Sequence, residues 1–150
     1  MNNICQEIEK EIVEYMTPFK EDYIEQCFEF RITNGWSCEE VYQIEVTGYY
    51  KDGYDAKEQT PFVLLRLFIN FQYNQIHISN IFLPNFMKHR GIGKGLIYKI
   101  FLISEKKNFK LFVVDMVHSF YQRMINRGAL PCVDCDDAVQ IVEGTKLIDR

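Results

Sequence analysis

The residues best suited to chemistry are Lys88-His89-Arg90-Gly91-Ile92-Gly93-Lys94-Gly95. Glycines at alternate positions let backbone amides close on a ligand without side chains in the way. Lys88, His89, Arg90 and Lys94 surround them with cationic or protonatable groups. If a helix opens inside this stretch, its first-turn amides have no intrahelical acceptor and its dipole adds partial positive charge. Together these features make a turn suited to a phosphate or pyrophosphate. The plain alternative is a tight glycine-rich connection that binds nothing.

Such a turn works only if its neighbours hold it. Upstream, Ile76 to Leu83 is β-branched and apolar between Asn74 and Pro84, and reads as a largely buried strand. Downstream, Leu96, Ile97, Ile100, Phe101 and Ile103 have the spacing of a helix with one buried stripe. Leu111 to Val117 is a further buried strand. Strand, turn, helix and strand make a right-handed crossover, hence a parallel pair inside an otherwise antiparallel sheet. His118 to Arg127 is helical in spacing, with Phe120, Met124 and Ile125 on one side and Gly128 as its stop. Two short strands, 129–133 and 138–142, finish the sheet.

The first half supplies the rest. Asn2 or Asn3 caps a helix with apolar positions Ile4, Ile8, Ile12, Tyr15, Met16 and Phe19; Glu7, Glu9, Glu11 and Glu14 form its solvated face, and Pro18 ends it. Phe28, Phe30 and Ile32 alternate as a half-buried strand closed by Asn34-Gly35. Tyr42, Ile44 and Val46 begin a second strand, with Gln43, Glu45 and Thr47 outward, and Lys51 to Tyr54 turns the chain. The segment 51–60 is polar and expected to be mobile. The nearly continuous apolar run from Pro61 to Phe71 predicts a strand covered on both faces, and 72–75 turns it into the key strand.

Two familiar glycine loops do not match. A Walker A loop on Gly93-Lys94 needs a glycine where Lys88 stands and a hydroxyl residue where Gly95 stands, and a dinucleotide fingerprint starting at Gly91 needs glycine or alanine where Leu96 stands. Lys88-His89-Arg90-Gly91-Ile92-Gly93 resembles instead the pyrophosphate loop of the GNAT superfamily of acyl-CoA-dependent N-acyltransferases, Gln/Arg-x-x-Gly-x-Gly/Ala, with Lys88 in the Gln/Arg place. Phe120-Tyr121 with Gly128-Ala129 resembles the family's Phe-Tyr-x-x-x-Gly-Phe signature. In strict register with Gly128 the tyrosine position holds Met124, so Tyr121 stands one turn early. The resemblance is specific from Ile76 to Leu130; before that only the order of elements matches.

That resemblance implies one α/β (α+β) domain over residues 1–150: a mixed, mostly antiparallel sheet of about seven strands with a central, splayed parallel pair, flanked by helices. It implies an N-acetyltransferase that moves an acetyl group from acetyl-CoA to a primary amine by direct attack. The cofactor site would comprise Ile81, Phe82 and Leu83 of the strand end, whose amides include an electrophilic contact to the thioester oxygen, together with Lys88, His89, Arg90, Gly91, Ile92, Gly93, Lys94 and Gly95. Tyr121 would protonate or hydrogen-bond the departing thiolate. An alkyl amine of pKa ~10.4 is neutral about once in ~2,500 at pH 7, a barrier of roughly 4.6 kcal/mol, so a base is needed. His77 on the key strand, and Asp115 and His118 near the end of the next, are the candidates. An acyl-CoA-binding module without turnover is the alternative, and an interaction domain that has lost the cofactor a third reading.

Composition narrows the classes. The chain has 150 residues, enough for one mixed core. Its 47 % hydrophobic content argues against disorder, and no apolar run approaches the ~18 residues of a membrane span. A net charge of −4 argues against a general nucleic-acid binder and is compatible with a cationic acceptor. No secretory signal is evident at the start, so a cytoplasmic setting with five reduced cysteines is expected. Cys132 and Cys135 have CxxC spacing without a second pair, and no metal site is expected from them.

Overall fold

The computed structural model describes residues 3–53 and 57–148. Its sheet has seven strands: β1 (Glu29–Cys38), β2 (Val41–Tyr50), β3 (Thr60–Asn70), β4 (Gln75–Ile81), β5 (Lys110–Val113), β6 (Leu130–Pro131) and β7 (Val139–Ile141). Their spatial order is β1-β2-β3-β4-β5-β7-β6. Only β4 and β5 run parallel, joined through helix α3 (Ile92–Lys106), and every other pairing is antiparallel. This is the mixed sheet expected, with the parallel pair inside it. The last two strands are shorter than the sequence suggests, and β7 rather than β6 lies beside β5.

Helix α1 (Asn3–Met16) buries Ile4, Cys5, Ile8, Ile12 and Met16. Each large apolar side chain so covered contributes about 1.5–3 kcal/mol. The helix begins at Asn3, so a cap at Asn2 lies outside the described residues, as do Tyr54 and part of the expected 51–60 loop. Pro18 starts the four-residue helix α2 (Phe19–Asp22), followed by a 3-10 turn, Ile24–Gln26. Two of the acidic residues of α1 are not merely solvated. Glu7 pairs with Lys106 and Lys107 at 3.8 and 3.4 Å, and Glu9 accepts from Asn34 Nδ2 at 2.5 Å and Tyr42 Oη at 3.3 Å.

That contact explains why β1 does not stop at Asn34-Gly35. With the Asn34 side chain drawn to α1, the backbone continues in register with β2 to Cys38 and turns at 39–40. β3 is also not covered on both faces. Leu65, Leu67 and Ile69 are buried, while Arg66, Phe68 and Asn70 are half-exposed, and Arg66 Nε meets Glu45 Oε2 at 2.7 Å on that side. Helix α3 starts at Ile92, a turn earlier than its apolar stripe, and buries Leu96, Ile97, Ile100, Phe101 and Ser104. Helix α4 (His118–Asn126) buries Met124 and ends before Gly128 at φ +98°. Among the described residues no helix is long and apolar enough to cross a membrane.

Candidate functional site

The parallel pair parts early. β4 and β5 are in register from Gln75↔Lys110 to Ile78↔Val113, and the Val114 amide still donates to the Ile78 carbonyl at 2.9 Å. Asp115 then adopts φ +54°, and the Met116 amide bonds to Asp137 at 2.9 Å instead of β4. This left-handed residue is why β5 ends at Val113 and not at Val117. On the other strand, Arg66↔Asn80 is followed by Leu67↔Ile78, so Ser79 is the extra residue of a β-bulge. The bulge is pinned by Asn80 Nδ2, which donates to the Val63 carbonyl at 2.8 Å. Beyond it β4 stays with β3 while β5 leaves, and the two strands part.

The strand-end amides are not equivalent. The Phe82 amide donates to the Leu64 carbonyl at 3.0 Å, so it is not free for a ligand as the sequence led us to expect. Alternation along an extended backbone turns the Ile81 amide the other way, toward the space β5 has vacated.

After Pro84 a 3-10 turn, Asn85–Met87, anchors the chain through buried Met87. His89 and Gly91 then take φ +63° and +73°, and α3 begins. The Gly95 amide donates to the Gly91 carbonyl at 2.9 Å, the first helical bond, which leaves the Ile92, Gly93 and Lys94 amides without intrahelical acceptors. Among the described residues nothing beyond its chain neighbours lies within 4 Å of where a Gly91 Cβ would be, so that face of the turn is open. A Cβ on Gly93 would lie 3.5 Å from Ile81 Cδ1 and 3.7 Å from Leu83 Cδ1, so the turn sits directly on the end of β4. Gly95 plays a different part from the one assigned by sequence. Its amide is spent, and a Cβ there would overlap Tyr15 Oη, which donates to the Ile92 carbonyl at 2.8 Å. Gly95 lets α1 close on α3.

The cationic side chains flank this turn. Lys88 Nζ is 5.5 Å from the Phe82 ring centroid, and the Arg90 guanidinium is 5.9 Å from that of Tyr23. Arg90 and Phe86 border an open cavity of about 390 Å³ whose far wall is 22–26. Tyr23 and Tyr50 each meet Phe86 edge-on at 5.3 Å, which ties this wall to the sheet.

The proposed catalytic side chains fall into two groups. Asp115, His118 and Tyr121 follow one another after β5: the first two are exposed, and Tyr121 is half-buried against the core. Asp115 does not cap α4, whose N-cap position is Val117 with no side-chain bond. His77 stands apart in the body of the sheet, opposite Phe68 and Phe112 and one residue before the last parallel pair. Its Nε2 lies 3.0 Å from Gln75 Oε1, its ring packs edge-on against Phe112 at 5.4 Å, and burial holds its pKa below 6.5. Ser79 and Asn80 escaped the sequence reading, although as adjacent polar residues they break the polar–apolar alternation of β4.

Cys132 and Cys135 lie in the seven-residue connection 132–138 between β6 and β7, across which the Cys132 amide donates to the Ala138 carbonyl at 3.1 Å. Both are free thiols, and among the described residues no cluster of three or more His, Cys, Asp or Glu could hold a metal.

No protein-family model matches the chain, and no curated protein does. Among solved structures, a protein of Agrobacterium tumefaciens described as a "putative acetyltransferase" is similar over 89 % of this chain and 88 % of that one, with 13 % identity and a TM-score of 0.38.

Proposed function

We propose that the chain is an acyl-CoA-dependent N-acetyltransferase that moves the acetyl group of acetyl-CoA to a primary amine. One observation carries this reading: the Ile92, Gly93 and Lys94 amides, left without intrahelical acceptors, belong to a turn that packs against the end of β4, where β4 and β5 part. A pyrophosphate suits that place, since it would meet a helix N-terminus, an open glycine face and the side chains of Lys88, Arg90 and Lys94. Acetyl-CoA would bring an activated acyl group. The amine nitrogen bonds to the acyl carbon and the carbon–sulfur bond breaks; the nitrogen supplies one proton to the departing thiolate and, because it arrives as an ammonium, gives another to a base.

The chain must manage that proton and the carbonyl. His77 is our candidate base, because burial keeps its imidazole neutral at pH 7 and Gln75 fixes the ring. Asp115 and His118 are exposed enough to take the proton through water. The Ile81 amide polarises the carbonyl. Tyr121 is the candidate donor to the thiolate, and with a thiol pKa near ~8.5 it can contribute only ~2 kcal/mol.

Calorimetry with acetyl-CoA, run beside thiol release over a panel of primary amines, tests the reading. Binding with amine-dependent release is expected. Binding without release would identify an acyl-CoA-binding module, and neither would overturn both.

A further inference from the structure

We propose that the Ser79 hydroxyl donates a hydrogen bond to the thioester carbonyl of the acyl donor, an inference that rests on the acyl-donor reading above. Ser79 is the bulge residue of β4, the first beyond the last parallel pair, Ile78↔Val113. Its Oγ is buried and has no hydrogen-bond partner among the described residues. Around it the polar groups have found partners: Asn80 Nδ2 on Val63 at 2.8 Å, the Phe82 amide on Leu64 at 3.0 Å, the Val114 amide on Ile78 at 2.9 Å. An orphaned buried hydroxyl is destabilising, and alanine at this position would avoid that cost. The unspent donor therefore sits where the two strands divide.

Position suggests what satisfies it. The glycine turn touches β4 at Ile81 and Leu83, and Ser79 lies about 7 Å deeper along the strand than Ile81. A donor held by its pyrophosphate at the turn runs its far end toward the point where the strands divide, and that end carries the thioester. The hydroxyl is closed off from solvent in the free protein, so a carbonyl meets it only as the strand ends shift on binding. The bond strengthens as the carbonyl oxygen gains negative charge during attack, so it favours the reaction as well as binding. Ser79 and the Ile81 amide would then hold the same oxygen from a side chain and a backbone.

Two variants and two ligands test this. Ser79→Ala removes the donor, and Ser79→Cys keeps its approximate size with a poor one. Melting temperature of the free proteins and calorimetric affinity for acetyl-CoA and for CoA, which lacks the carbonyl, are the readouts. Ser79→Ala is expected to melt at or above the parent, since it removes an unsatisfied polar group. Both variants should bind acetyl-CoA about five-fold or more weakly and CoA within two-fold of the parent. Equal weakening of both ligands, or of neither, overturns the assignment while leaving the acyl-donor reading intact. A free Ser79→Ala protein that melts lower or fails to fold also overturns it, since the hydroxyl then has a structural partner. If the parent binds neither ligand, the acyl-donor reading falls and takes this inference with it.

Discussion

Gly93 and Gly95 stand two residues apart in one helix turn, yet alanine should act on them with opposite sign. At Gly95 the new Cβ would overlap Tyr15 Oη and lie 3.1 Å from its Cζ, and this phenol is a hydrogen-bond donor to the Ile92 carbonyl at 2.8 Å. The ring must move, losing a bond worth about 0.5–1.5 kcal/mol and forcing overpacking of about 1–3 kcal/mol between α1 and α3. Against this, alanine in a helix gains up to about 1 kcal/mol over glycine. A net loss of about 2 kcal/mol is expected, or roughly 4–8 °C in Tm for a domain of this size. At Gly93 the nearest atom is Ile81 Cδ1 at 3.5 Å, an ordinary contact, so Gly93→Ala should be neutral or gain about 0.5 kcal/mol.

Urea unfolding of both variants and of Tyr15→Phe, alone and with Gly95→Ala, gives the decisive comparison. Removing Oη relieves the worst overlap, so the double variant should be more stable than the sum of the singles predicts, by about 1 kcal/mol. If Gly95→Ala is as stable as Gly93→Ala, or if the double variant is additive, α1 does not close on α3 through this glycine.

Gly93→Glu should leave the fold intact and weaken acetyl-CoA by about ten-fold or more, because a carboxylate enters the amide site; unchanged affinity would reduce the turn to a connection. Acidification should cost the parent stability relative to His77→Gln. His77 is held below its free value of 6.5, so its contribution is complete above pH 6.5 and is lost as pH falls through the folded value; a pH-independent difference in unfolding free energy would refute this. Tyr121→Phe should lower kcat about ten- to thirty-fold with acetyl-CoA affinity within a few-fold, and a parent-like rate would make the phenol plain packing. Met124 is fully buried, so Met124→Tyr should not restore the family register but destabilise by about 1–3 kcal/mol, read by thermal melting.

What the sequence made legible is what local pattern encodes. The alternation of β2, the apolar run of β4 and the stripe of α3 each appear where their spacing places them, because burial on one side of the sheet fixes their register. The turn was legible too as the connection from β4 into α3, with Gly91 in the left-handed conformation at its start. Three of the misreadings share one cause: a partner distant in sequence. Asn34-Gly35 has hairpin chemistry, but Glu9 of α1 holds the Asn34 side chain and the turn forms at 39–40. Gly95 looks like its neighbours until Tyr15 arrives from 80 positions earlier to occupy its empty face. The bulge at Ser79 is invisible because it is a property of two strands at once: β3 also carries an extra residue, Leu64, against β2, and its Leu64 carbonyl takes the Phe82 amide. The end of β4 is therefore shaped by β3 as much as by its own residues. That matters for any reading of the site, because the same pairing that spends the Phe82 amide turns Ile81 toward the space β5 has vacated.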